Sequence, residues 1–139
     1  MKKLLLILLC LPFIGFGQIE AVTEYSIITV SNGKPVSEKD DNYYYINISG
    51  SYSYGTWTGR VNILKNSTDY STAKTRWRFN IYSRHSTNEG NMIYWCKEEN
   101  QYYSFTVDNN SAQQKIIEEK QVKKNGQYKL LKRTTHYIK

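Results

Sequence analysis

Alternation of apolar and polar positions is the dominant pattern in this chain. Residues 73–84 show it most clearly: Thr75, Trp77, Phe79 and Ile81 fall on one parity, and Arg76, Arg78, Asn80, Tyr82 and Arg84 on the other. A period of two places side chains on opposite faces of a strand, so this segment is predicted to be an amphipathic strand. In residues 42–54, Tyr44, Ile46 and Ile48 share a face opposite Tyr43, Tyr45 and Asn47, and in residues 57–65, Trp57, Val61 and Ile63 share a parity. Further strands are predicted at 20–31, 91–97, 101–107, 113–124 and 127–138, making eight. Polar turn clusters separate them: Asn32-Gly33, Asn66 to Thr72, His85 to Gly90, Glu98-Glu99-Asn100, Asp108 to Ser111 and Asn125-Gly126. Asn-Gly favours the positive φ values of a type I′ hairpin turn. Lys34 to Asp41 carries no alternation and reads as irregular.

Residues 113–124 also admit a helix, because Ile116-Ile117 lie beside Glu118-Glu119. A two-residue hairpin about Asn125-Gly126 sets Glu119 opposite Lys132 and Glu118 opposite Arg133. Two opposite-charge pairs in one register favour the strand, although the apolar residues of this hairpin do not sort onto one face. Short linkers leave no room for crossovers. The fold class read from the chain is therefore all-β: a single antiparallel meander of about eight strands, closed as a small barrel or folded as a two-sheet sandwich.

The N-terminus follows a different pattern. Lys2 and Lys3 precede 13 apolar-rich residues, Leu4 to Phe16, which end in Gly15-Phe16-Gly17. Charge, short apolar run and small-x-small cleavage site are the marks of a signal peptide, so residues 1–17 are expected to be removed and 18–139 to form the domain. Cys10 raises a lipoprotein reading, but bulky Leu9 precedes it and lipidation is not expected. No second apolar stretch of 18 residues follows, so no transmembrane helix is expected in the mature chain. The expected location is the periplasm or the exterior.

Composition supports the strand reading. Residues 18–139 contain three Leu and three Ala against 17 Ile and Val, 13 Tyr and 11 Thr. β-Branched and aromatic side chains suit a pleated surface. Cys96 is the one cysteine beyond the leader, so no internal disulfide can form; its apolar setting reads as a buried thiol. The net charge of +7 is concentrated from Lys115 to Lys139, where eight Lys and Arg meet two Glu. That basic hairpin offers a contact to an anionic surface.

Chemistry is sparse. His85 and His136 have no second His or Cys at metal-ligand spacing, and no nucleophile elbow, phosphate loop or CxxC is present. Asp40-Asp41-Asn42 and Asp108-Asn109-Asn110 read as turns rather than cation loops. No catalytic residue, metal ligand or cofactor is nominated. Candidate binding residues are the dense aromatics Tyr43, Tyr45, Tyr52, Tyr54, Trp57, Tyr102 and Tyr103. Tyr and Trp present large area at low entropy cost, so an exposed set can stack on a sugar or a protein. No nucleic-acid partner is expected.

Two short resemblances stand beside this reading. Gly55-Thr56-Trp57 resembles the GxW element of lipocalin-type barrels, where the Trp closes a barrel end; here 37 mature residues precede it, whereas that family carries it on the first strand. Asn125-Gly126-Gln127-Tyr128 through Lys139 is similar to the close of bacterial secretion-sorting C-terminal domains, over one hairpin. Neither assigns a family. The leading functional expectation is an exported, non-catalytic binding module that meets an envelope glycan, a protein or an apolar small molecule. The alternative is a lipocalin-like carrier with a cavity lined by Trp57, Trp77, Phe79 and Ile81. An enzyme or enzyme inhibitor ranks third, and requires His85, His136 or Cys96 to converge with a carboxylate.

Overall fold

The computed structural model describes residues 18–71 and 75–139. The expected leader, including Cys10, and the first residues of the strand expected at 73–84 lie outside the described residues. Among the described residues nine strands follow in order: β1 (Ile19–Ser31), β2 (Lys34–Asp40), β3 (Tyr44–Ser53), β4 (Thr56–Lys65), β5 (Arg76–Ser86), β6 (Met92–Glu98), β7 (Gln101–Asp108), β8 (Lys115–Lys124) and β9 (Gln127–Ile138). All pair antiparallel in one sheet, β2-β1-β3-β4-β5-β6-β7-β8-β9, and β1 also pairs with β9. The paired strands therefore return to their start, and the ladder has an inner and an outer face.

Lys34 to Asp41 is not irregular, as the sequence suggests. Asn32 and Gly33 take φ of 53° and 76°, and the chain returns as β2. β2 meets Ser26 to Ser31 of β1, and β3 meets Ile19 to Val22. The two strands thus lie end to end along β1, and nine strands occupy eight positions around the ladder. Alternation is missing from β2 because most of its side chains are exposed. Pro35 is tolerated where the β1–β2 register shifts, a position that needs no regular ladder donor.

The segment that also admitted a helix is strand β8. Its expected register with β9 holds only near the turn, where Lys124 faces Gln127 and Val122 faces Lys129. Leu131 is then an extra residue on β9, so Lys120 faces Lys132, Glu119 faces Arg133 and Glu118 faces Thr134. The expected pairs Glu119–Lys132 and Glu118–Arg133 are replaced by a single bridge, Arg133 Nη2 to Glu119 Oε2 at 2.9 Å. A bulge inverts the parity of everything beyond it. That inversion is why the apolar residues of this hairpin do not sort by simple alternation.

The inner face carries the core. Ile46, Ile48, Val61, Phe79, Ile81, Tyr94, Cys96, Phe105, Val107 and Ile116 are buried together there. Burying these side chains removes their apolar area from water, and Cys96 among them is a free thiol. Leu64 is buried apart from this cluster, on the parity opposite Ile63.

Candidate functional site

Over part of the inner face the side chains change character. Tyr44, Asp40, Glu118, Lys120, Lys132, Thr134 and His136 stand there with Ile28, Ile63, Trp77, Phe79 and Tyr103, around a pocket of about 230 Å³. Strand periodicity places several of them. Tyr44 continues the inward row of Ile46 and Ile48, and Trp77 the row of Phe79 and Ile81. Beyond the Leu131 bulge, Lys132, Thr134 and His136 share the inward parity of β9.

Two hydrogen-bonded groups organise the polar side. In the first, the Tyr44 hydroxyl donates to Asp40 Oδ2 at 2.6 Å, and the Asn42 backbone N–H and side-chain amide donate to Asp40 Oδ1 at 3.0 and 2.8 Å. Burial opposes ionisation of Asp40, but these donors and the Lys65 charge outweigh it and hold the carboxyl below its ordinary value. Burial, followed by the carboxylate at its oxygen, pushes the Tyr44 hydroxyl far above its usual range. The Tyr44 ring lies edge-on to His136, with centroids 5.5 Å apart, and tilted against Trp77 at 6.4 Å.

In the second group, His136 bridges Glu118 and Ser26. Its Nε2 is 2.9 Å from Glu118 Oε1 and its Nδ1 is 2.7 Å from Ser26 Oγ. A carboxylate only accepts, so Nε2 carries a proton; in the neutral ring Nδ1 then accepts from the Ser26 hydroxyl. The composition matches a catalytic triad, but Ser26 is fully buried, with 0% exposure, and so is closed to a substrate. The bridge ties β1 to β8 and β9.

The aromatic candidates do not form one platform. Tyr103 is on the inner face, with its ring centroid 4.5 Å from Phe79, and lines the pocket. Tyr45 packs edge-on against Tyr70 at 6.0 Å, and exposed Tyr43 donates its backbone N–H to Asn66. Tyr52 faces Trp57 across the β3–β4 hairpin, and the Arg84 guanidinium lies over both rings, at 5.2 and 4.3 Å from their centroids. Tyr54 is fully exposed in the turn of that hairpin. Tyr102 packs edge-on to Tyr128 at 5.1 Å, beside an outer groove of about 310 Å³ formed by Tyr82, His85, Trp95, Gln121 and Tyr128.

Of the four residues expected to line a carrier cavity, Trp77 and Phe79 line the pocket, while Trp57 and Ile81 do not. Trp57 instead lies across Gly50 and Gly59, two facing glycines whose missing side chains make room for the indole. The three residues weighed for catalysis occupy different settings. His136 lines the inner pocket, His85 lines the outer groove, and Cys96 sits in the core, where burial pushes its thiol up to about 12. The two Asp-Asn clusters form turns: Asn42 N–H bonds Asp40 and Asn110 N–H bonds Asp108, each two residues back.

Sequence reasoning missed Asp40, Ser26, Tyr44 and Glu118 as site residues. Tyr44 was legible as inward-facing, but its polar neighbours come from β2, which shows no alternation, and from a hairpin whose parity is inverted by a bulge. Set beside known proteins, the chain matches no family model, no curated protein and no solved structure.

Proposed function

We propose that this chain is an exported, non-catalytic binding module of the bacterial cell envelope or its exterior, and that its ligand is a small molecule held in the inner pocket. One observation carries this reading: polar and charged side chains from β1, β2, β3, β8 and β9 converge on the inner face, beside Trp77 and Phe79. Thr134 and His136 are buried there, and buried polar groups cost stability unless paired, while apolar residues of similar volume stabilise at least as well. A core built for stability alone would continue the Ile, Val and Phe pattern into this region. A recess with apolar walls and a few convergent polar groups is the usual form of a ligand site.

The carrier reading has its own support in the closed ladder and in Trp77 and Phe79 lining a recess. At about 230 Å³ the pocket is smaller than the roughly 300–1,000 Å³ of drug-sized ligand sites. It suits a small amphipathic molecule better than a long lipid chain.

The test is thermal unfolding of the mature chain, Gln18 to Lys139, against a small-molecule library, with Thr134→Phe and Ile63→Phe as pocket-filling variants. Expected are hits that raise the melting temperature of the parent and of neither variant, both variants remaining folded by circular dichroism. Hits that stabilise parent and filled variants equally would place binding elsewhere and refute the reading.

A further inference from the structure

We propose that the pocket selects a small aromatic anion, its charge held between Lys120 and Lys132 and its ring against Trp77 and Phe79. The inference rests on the pocket being the ligand seat. Lys120 and Lys132 are direct cross-strand partners, and both line the pocket. Like charges facing one another across a ladder repel. Among the described residues neither has an ion-pair partner; Lys120 has only the Tyr103 ring, 6.0 Å from its Nζ. The carboxylates of the pocket are already engaged, Asp40 by Tyr44 and Asn42, and Glu118 by His136.

The Leu131 bulge creates this arrangement. Without the extra residue, the register at the turn would continue and set Lys132 opposite Glu119 and Arg133 opposite Glu118. With it, Arg133 takes Glu119 and the two lysines face each other. Bulges re-aim side chains at binding sites. Here the bulge turns Lys132 inward, opposite Lys120, and an anion would bridge the two cations.

The experiment titrates the mature chain with phenylacetate, phenyl phosphate and the uncharged phenylacetamide, following tryptophan fluorescence and melting temperature. Lys120→Met and Lys132→Met remove one charge each, and Lys129→Met removes a lysine that does not line the pocket. Expected is binding of either anion at least about tenfold tighter than of the amide, weakened about tenfold by each pocket variant and unchanged by Lys129→Met. The arm that binds more tightly distinguishes carboxylate from phosphate. Because each pocket variant relieves a repulsion, both should be at least as resistant to urea as the parent, so lost binding would not reflect lost folding. If the amide binds as well as the anions, or Lys129→Met weakens binding equally, anion selection fails while the pocket remains a ligand seat. If no probe binds and the library above gives no pocket-dependent hit, both readings fail.

Discussion

Gly59→Ala tests the account of how Trp57 is seated. Gly59 faces Gly50 across β3 and β4, and the Trp57 indole occupies the space that side chains at these positions would take. A methyl group at Gly59 would lie 2.6 Å from the Ser49 carbonyl oxygen and 2.9 Å from an indole carbon, with another indole carbon nearer still. The ring has little freedom to retreat, since Arg84 stands over it at 4.3 Å and Tyr94 packs 5.9 Å away. Forcing a methyl group into such a contact costs about 1–3 kcal/mol. Replacing a strand glycine lowers chain entropy in the unfolded state and returns about 0.5–1 kcal/mol. The expected net loss is about 1–2 kcal/mol, or a fall in melting temperature of roughly 3–10 °C for a domain of this size. Urea titration followed by circular dichroism measures it, and the same substitution in a Trp57→Val background isolates the indole. There the cost should shrink by about 1 kcal/mol. An unchanged stability in the parent, or an equal cost in both backgrounds, would refute this seating of Trp57.

Three further outcomes are expected. Tyr44→Phe removes a donor to Asp40, whose carboxyl lies below its ordinary value; that depression stabilises the fold above the unfolded-state value of 3.8 and is lost as pH falls through the folded-state value. Stability of Tyr44→Phe should therefore decline less between pH 5 and about pH 2 than that of the parent, and parallel declines would contradict the assignment. His136→Leu leaves the buried Ser26 hydroxyl and the partly exposed Glu118 without their partner, and should cost about 2–3 kcal/mol against about 1 kcal/mol for Ser26→Ala; equal costs in urea titration would show that the bridge does not hold β1 to the last hairpin. Cys96, with its thiol pushed up to about 12 by burial, should resist a disulfide reagent at pH 8 in the folded chain and react only on unfolding, so prompt labelling of the native protein would place it elsewhere.

The candidate site is only partly legible in the sequence. Trp77 and Phe79 stand on a clean alternating row, and Tyr103 lies in a dense aromatic run. Tyr44 belonged to a clean inward row, but its value to the site depends on Asp40, four residues back on a strand without alternation. Ser26 and Glu118 carry no local mark at all, because what distinguishes them is a histidine 110 and 18 residues away.

Strand type, inward rows and hairpin turns were written locally in this chain. A period of two records which side of a half-buried strand meets water, and Asn-Gly turns record the φ values their residues accept. Only the assembled sheet decided that β1 meets β9, that β2 and β3 share one edge of β1, and that Leu131 is surplus to the ladder. Each of those depends on hydrogen bonds between segments far apart in sequence. Alternation identifies the two faces of a strand but not its partner or a one-residue slip, and it was such a slip that turned Lys132, Thr134 and His136 toward the pocket.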